Sequence, residues 1–567
     1  MSNTASNFIM GSYTHPKRHP PERLVVSLCN LYLMPAFQQF LPVCVTCVCI
    51  IMNPLLDKYG FMVDSANRSL KSKSLLSSFV IVSLAVFSGY AAFDLEAASA
   101  LTRLLRDWVV VYFDWFLILT SGSILLFMLA LLFHPKAGEV LGEHNEPPEF
   151  SRWSWFAMLF SAGLGPGLLY WGAAEPISHL NENPLLTFLE LNAGSEQAVV
   201  PAIVVTVFHW GLHGWAMYAL AALAIAYSTY RHNQPLAFST ALTPLLGKAR
   251  INGRTGSLID CIALYGTVFG VATSIGLSVS IMNAAIEPFT GLDFDLYNQI
   301  IIVALVCVLG IVSAISGVAK GIRRISEINI WLSLMLLLTF LAVGPTVPIL
   351  VTLLNTLIEY FLAVLPMGFW IAGLPEQQAW QGAWTVFYWG WWFAWTPFVA
   401  LFVARISRGR TIREFITGVL LVPTLVIVLW MSVFGGTAIH QELATSGVIS
   451  SAVNQDYSLG LIASIDDLGL DQIKSPLFMI VAFLLFTWLV TSLDSATLVI
   501  CNMLNVSQST IMKIIWGLIL GAVSCTLMLV GGIEALQAAS IIIGLPMALI
   551  MLLVMGSVAR LVLTKEP

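Results

Sequence analysis

Charge is scarce in this chain. Only 10 % of its 567 residues are Asp, Glu, Lys or Arg, against 58 % hydrophobic residues. With a mean hydropathy of +0.86, an ordinary soluble domain is excluded. A long basic patch is also missing, so nothing points to nucleic acid, and the net charge of −5 says little about partners because most charge falls in loops. Cysteine is thinly spread. Only Cys44, Cys47 and Cys49 cluster, in an apolar run without a histidine pair at zinc spacing, which favours buried packing over a metal or redox site. There is no Walker A run, no His-Glu-x-x-His and no Gly-x-Ser-x-Gly, hence no sign of hydrolysed ATP or an acyl-enzyme.

Long apolar runs are abundant instead. They centre on 76–96, 109–134, 153–174, 199–228, 257–288, 299–319, 328–346, 384–404, 414–437, 477–500, 512–531 and 537–559, which predicts an all-α membrane protein of twelve transmembrane helices. Basic residues crowd the loops of one side, among them Arg231, Lys248, Arg250, Arg254, Lys320, Arg323, Arg324, Arg405, Arg408 and Arg410. The other side keeps Arg103, Arg106 and Lys474, and its long loop 438–476 carries Asp466 and Asp467. The positive-inside rule then sets both ends of the core in the cytoplasm of a cell-membrane protein. Residues 1–74 read as an extension before a core of 75–565. Within it, 24–53 is apolar enough for another span, but Lys17, Arg18 and Arg23 precede it and Lys58, Arg68, Lys71 and Lys73 follow it. A peripheral, re-entrant or poorly ordered segment, or a start codon placed too early, fits better than a crossing or a signal peptide.

Aromatic residues are concentrated. Six of eighteen tryptophans lie in 380–395, Trp-Gln-Gly-Ala-Trp-Thr-Val-Phe-Tyr-Trp-Gly-Trp-Trp-Phe-Ala-Trp. Trp389, Trp391, Trp392 and Trp395 occupy adjacent sides of a helix. Indole is the strongest cation–π partner among side chains, so the stretch suggests a cage for a cation that cannot be hydrogen-bonded, such as a quaternary ammonium. An interfacial belt is the plainer account, but rarely packs so many tryptophans so closely. In the fourth helix, Trp210, Trp215 and Tyr218 share an arc and are placed to close the cage. His209 and His213 are spaced i, i+4. With no third ligand nearby, buried hydrogen-bonded histidines are favoured over zinc.

Two spans look interrupted. Ser161-Ala162-Gly163-Leu164-Gly165-Pro166-Gly167 weakens the third helix and frees backbone groups, which membrane depth tolerates only beside protein or a wet cavity. The eighth helix, with Trp389-Gly390 and Thr396-Pro397, is the other irregular span. Five crossings separate the two, so they run antiparallel, the pattern of an inverted-repeat secondary transporter. Thr491 and Ser492 in the tenth helix offer hydroxyls to a cation or, equally well, back to the i−4 carbonyl. Asp494 and Asp114 are intramembrane carboxylates.

At these motifs the chain resembles the betaine–choline–carnitine transporter family over about residues 75–565. The carriers are Trp384 through Trp395 with Arg405-Ile406-Ser407-Arg408-Gly409-Arg410-Thr411-Ile412-Arg413, Gly163 to Gly167 with Gly172-Ala173-Ala174-Glu175-Pro176, and His209 to Tyr218. The resemblance implies a LeuT-type core of two five-helix inverted repeats, helices 3–7 and 8–12, after two extra helices. It implies a possible homotrimer and an amphipathic helix after the seventh span, matched by 348–366. By the same resemblance, Trp210, Trp215, Tyr218 and Trp392 form the aromatic box, Trp391 and Trp395 line the cytoplasmic pathway, and Gly163, Gly165 and Gly167 contribute backbone. A coupling sodium ion would sit between Ser161 and Leu164 main-chain oxygens and Trp488, Thr491 and Ser492. A second ion site would use Thr267, where Val271 replaces a hydroxyl. No arginine stands in 257–290, unlike sodium-independent exchangers, and Gly167 stands where choline carriers often have aspartate. The short segment after Arg560 lacks the long charged tail of osmotically regulated members.

The expected function is sodium-coupled symport of a zwitterionic quaternary ammonium or sulfonium solute across the lipid bilayer, with no cofactor beyond the ion. Precursor/product exchange is the alternative within transport. A membrane-embedded enzyme using His209, His213 and Asp494 lacks the needed ligand or nucleophile spacing, and a non-transporting solute sensor is the other class.

Overall fold

A computed structural model describes residues 66–563 apart from 144, 145, 164, 317, 318, 446, 505 and 507. Side chains are described for these except at 66–74, 160–163, 319–324 and 562–563. The apolar segment 24–53, with Cys29, Cys44, Cys47 and Cys49, therefore lies outside the described residues.

The described residues are helical, with one isolated bridge, Val140 to Thr411, and no strand among them. The principal helices are α1 (Ala66–Phe93), α2 (Leu95–Leu132), α3 (Arg152–Gly163), α4 (Pro166–Asn181), α5 (Val199–Trp210), α6 (Leu212–Tyr230), α7 (Arg254–Thr290), α8 (Leu296–Ser316), α9 (Ala319–Val343), α10 (Thr346–Phe369), α11 (Phe387–Ile406), α12 (Ile412–Thr445), α13 (Asp471–Met503) and α14 (Thr510–Leu563). Eleven helical segments among the described residues are long and apolar enough to cross a bilayer.

That set differs from the predicted twelve in three places. The third predicted span consists of α3 and α4, each too short alone. Helix α14 has 54 residues, about 80 Å at 1.5 Å per residue, against about 30 Å of hydrocarbon. Gly531 (φ −177°, ψ 24°) and Gly532 (φ 56°, ψ −131°) interrupt it, and only glycine takes the second conformation readily. Helix α10, expected as an amphipathic helix over 348–366, is itself apolar enough to count as a span. The loop predicted at 438–476 is shorter than expected. Helix α12 runs on to Thr445, and two short helices, Val448–Gln455 and Leu459–Asp466, fill the connection.

The eighth span corrects a prediction. Gly390 and Pro397 do not break it; both lie inside continuous α11. Its irregularity is a π-helical turn upstream, Gly382–Val386. Gly390 serves packing instead. A Cβ there would come 2.8 Å from the Cα of Ile541, and Gly544 faces Gly390 across the same contact, so two backbones meet where small residues permit it. Helix α11 thus packs against α6, α7 and α14.

The second break falls in the fourth span, predicted as one helix. Gly211 (φ −90°, ψ −132°) separates α5 from α6. The freed amide of Leu212 donates to the Tyr360 hydroxyl of α10 at 2.8 Å. A buried backbone donor needs such a partner, since water is excluded.

Candidate functional site: an aromatic cage between two broken spans

Two breaks set the site. Gly165, extended at φ −119° and ψ −160°, precedes Pro166, which opens α4 at a position where its missing N–H costs nothing. Gly167 follows in the first turn. A Cβ on it would lie 2.8 Å from Trp210 and 3.2 Å from Trp391, so glycine lets the start of α4 approach the indoles. The Gly211 break then places Trp210 at the end of α5 and Trp215 and Tyr218 on α6.

The four predicted cage residues meet. Ring centroids lie 4.9 Å apart for Tyr218 and Trp392, 5.7 Å for Trp215 and Tyr218, 6.3 Å for Trp215 and Trp392, and 6.2 Å for Trp210 and Trp392. All four are buried. Trp392 is anchored by its Nε1–H, which donates to the His209 carbonyl at 2.8 Å. The Trp215 indole nitrogen has no hydrogen-bond partner. A group of buried indole and phenol faces suits a weakly hydrated cation, because cation–π attraction grows when the ion is desolvated.

The remaining tryptophans of the cluster separate. Trp391 joins the cage edge through Trp210, 5.8 Å away. Trp395 packs on Phe398 at 5.2 Å and beside Gly270, without a ring contact to the cage. Trp389 turns away, against Phe208 and His213 at 5.3 and 5.1 Å. Sequence periodicity places these indoles on adjacent sides; only the packing shows which side is which.

The residues predicted as sodium ligands are less completely placed. Leu164 lies outside the described residues, as does the side chain of Ser161, while Ser161 and Gly163 belong to the last turns of α3. Trp488, Thr491 and Ser492 are half-buried on α13, which packs against α4. Thr491 Oγ1 donates to the carbonyls of Thr487 (2.9 Å) and Trp488 (3.0 Å). Its lone pairs remain free to accept or ligate. Thr267 likewise bonds back, to Ala263 at 2.9 Å. Asp494 accepts from Ser313 of α8 at 2.7 Å, and Asp114 accepts the Trp115 amide at 2.6 Å, so each has a local partner.

Glu175 is the residue whose role the sequence does not disclose. It stands in the Gly172 to Pro176 motif, and a carboxylate in an apolar span is the one signal that could have found it. It is fully buried on α4. Oε1 faces His209 Nδ1 at 2.7 Å and His179 Nε2 at 3.3 Å. Oε2 accepts from Trp210 Nε1 at 2.8 Å and from the Tyr388 hydroxyl. His209 Nε2 meets Thr385 Oγ1 at 3.1 Å, which fits the tautomer with its proton on Nδ1. The donor atoms of Glu175, His179 and His209 lie within 4.8 Å of one another, a spacing a metal would accept. Hydrogen bonds use these atoms and His209 is buried and bonded as predicted, but Glu175 and His179 supply the nearby ligand atoms that the sequence reading did not find. His213 differs: both ring nitrogens are buried without partners.

The arginine run after α11 clamps the loop that leads into α3. Leu141 N–H donates to the Arg410 carbonyl at 2.8 Å, and Gly409 N–H to the Leu141 carbonyl at 2.9 Å. Arg405 pairs with Glu149 at 2.6 Å and Arg408 with Glu146 at 2.7 Å. The Arg405 guanidinium holds the Glu149 carboxyl below the usual carboxylate range. Gly409 has φ +81°, and a Cβ there would strike the Pro147 backbone, so this position is closed to other residues. The clamp joins the entrance of one interrupted span to the exit of the tryptophan helix.

The chain is similar to known proteins over most of its length. The model of the betaine/carnitine/choline family transporter matches residues 75–566. The glycine betaine transporter OpuD of Bacillus subtilis is 40 % identical over 451 residues, 78 % of this chain and 86 % of that protein. Glycine betaine transporter 1 of Vibrio parahaemolyticus is 37 % identical over 508 residues, covering 88 % and 93 %. An ectoine/hydroxyectoine transporter of Virgibacillus pantothenticus is 35 % identical over 491 residues, covering 86 % and 95 %.

Proposed function

The chain belongs to the betaine/carnitine/choline family of transporters, a multi-pass membrane family and not an enzyme family, and from that premise we propose that it carries glycine betaine or a close zwitterionic quaternary ammonium or sulfonium solute into the cell. The observation that carries this reading is the buried meeting of Trp210, Trp215, Tyr218 and Trp392. Their faces take the methylated cation, and the start of α4, where Gly167 stands against Trp210 and Trp391, brings the positive end of that helix toward the carboxylate. Gly167 supports a zwitterion further: an aspartate there would meet the indoles of Trp210 and Trp391 and repel a carboxylate.

Sodium-coupled symport is the mode we favour, with the ion between the backbone near Ser161 and Leu164 and the hydroxyls of Thr491 and Ser492. The contact of α13 with α4 supports it, as does the lack of an arginine in 257–290. Twelve crossings in two inverted repeats, cytoplasmic termini and trimeric assembly complete the reading. The test is uptake of labelled glycine betaine into proteoliposomes with and without a sodium gradient, with ectoine and carnitine as competitors. Sodium-dependent accumulation blocked by excess unlabelled betaine is expected. Counterflow without any gradient-driven accumulation would replace symport by exchange, and binding without movement would make the chain a sensor.

A further inference from the structure

We infer that Glu175 is an ionised carboxylate that acts through Trp210 to make the cage prefer a positively charged head group over an uncharged one of the same shape. The inference rests on the cage being the head-group site. Glu175 belongs to α4, yet its shell is drawn from three further elements: His209 and Trp210 of α5, Tyr388 of α11 and, through His209, Thr385 of the π-turn. His179 of its own helix completes the set. Four donors on two oxygens match the acceptor capacity of a carboxylate anion, whereas a protonated carboxyl brings a donor of its own into that shell. Indole N–H can only donate, so at least Oε2 is fixed as an acceptor.

Burying a carboxylate without a guanidinium or ammonium beside it is costly, and its hydrogen bonds recover only part of that cost. Among the described residues, the hydrogen-bonding partners of Glu175 include no Lys or Arg. The missing counter-charge has an obvious place. The Trp210 indole donates to Glu175 at one edge and stands 6.2 Å from Trp392 on the cage side. An N–H bonded to an anion is polarised, which enriches the ring face that the cation meets. The same charge also attracts the cation directly across a wall of buried side chains, where the dielectric is low. Both effects act on charge and neither on shape. Trp215, whose N–H is unpartnered, lacks this support.

The experiment measures binding of glycine betaine and of tert-butylacetate, its isostere with carbon in place of nitrogen, to the full chain in lipid nanodiscs. In Glu175→Gln the preference for betaine over the isostere is expected to fall about tenfold, from the cation–π and Coulomb ranges, with isostere binding little changed. Equal weakening of both ligands would make Glu175 a purely structural support and overturn the proposal. If Glu175→Gln fails to fold, Trp210→Phe and Trp215→Phe replace it. Each removes one indole, but only the first disconnects the carboxylate. A larger loss of preference in Trp210→Phe supports the proposal, and equal losses refute it. Trp392→Leu separates the two readings. An unchanged preference in that variant sinks the cage itself, whereas a lowered preference there with none in Glu175→Gln keeps the cage and rejects the role of Glu175.

Discussion

A single methyl group added at Gly214 should loosen the cage without changing any aromatic residue. Gly214 lies on α6 directly under the Trp392 indole, and a Cβ built there would overlap its fused ring, at 2.7 Å from Cε3. Carbon atoms in contact prefer about 3.5–4.0 Å, so Trp392 must move by about 1 Å in Gly214→Ala. It cannot slide freely, because its Nε1 is tied to the His209 carbonyl at 2.8 Å. Overpacking of this kind costs about 1–3 kcal/mol, while replacing a helical glycine by alanine returns about 1 kcal/mol. Net destabilisation is therefore small, about 0–2 kcal/mol, and the protein should still fold. The cage should suffer more, since displacing one wall forfeits much of a desolvated cation–π contact of about 2 kcal/mol. Betaine affinity, read by equilibrium binding in nanodiscs, should weaken about 5- to 30-fold at 1.4 kcal/mol per decade. Gly436→Ala on α12, where the nearest atoms to a new Cβ stand at 3.8 and 3.9 Å, is the control and should bind normally. Unchanged affinity in a folded Gly214→Ala protein would mean that Trp392 is packing and not a wall of the site.

Trp392→Leu keeps bulk and removes the π face, so betaine affinity should fall by about 1–2 kcal/mol, and Trp392→Phe should lose less; equal small losses would argue for a belt residue. Thr491→Ala with Ser492→Ala should raise the sodium needed for half-maximal uptake, and by reciprocal linkage betaine affinity should drop most at low sodium; an unaltered sodium curve removes these hydroxyls from the ion site. Gly409→Ala should destabilise the clamp by about 1–3 kcal/mol, the usual cost of a side chain held at positive φ, seen as faster proteolysis of the 139–149 loop. Because the folded Glu149 carboxyl titrates below its ordinary value, its pairing with Arg405 stabilises fully above the ordinary carboxylate range and is lost as pH falls through the lowered folded value. The pair is exposed and contributes at most about 1 kcal/mol, so only the acid limb of loop protection should shift in Glu149→Gln; protection that is flat with pH in the parent chain would refute the coupling.

How much of the fold and the site is legible in the sequence follows from the range of each signal. Hydropathy locates most of the long apolar helices, because burying a polar backbone in lipid demands them, but not their ends: α2 begins at Leu95, well before the predicted 109. The third span shows its break at Gly163 to Gly167, where glycine and proline remove helix stability locally. The fourth span does not. Gly211 looks no different from other glycines, and its break is possible only because Tyr360, far along the chain, satisfies the Leu212 amide. The eighth span errs the other way: Gly390 and Pro397 look like breakers, but Gly390 is spent on contact with Ser540 and Ile541. Glu175 is visible as a letter and silent as a role, because its four donors come from three helices and the sequence cannot bring them together.

The sequence alone determined the solvent, the helical class and the chemistry on offer: an excess of apolar residues that only a bilayer accommodates, and a store of indoles that suits a methylated cation. Composition carries that information because solvation and cation–π attraction belong to side chains themselves. The tertiary structure alone decided which indoles form the cage and which, like Trp389 and Trp395, serve as packing or lie apart from it. It also decided that a buried carboxylate stands behind one wall. Those outcomes depend on where α4, α5, α6 and α11 meet, and a helix face acquires a role only when a neighbour covers it.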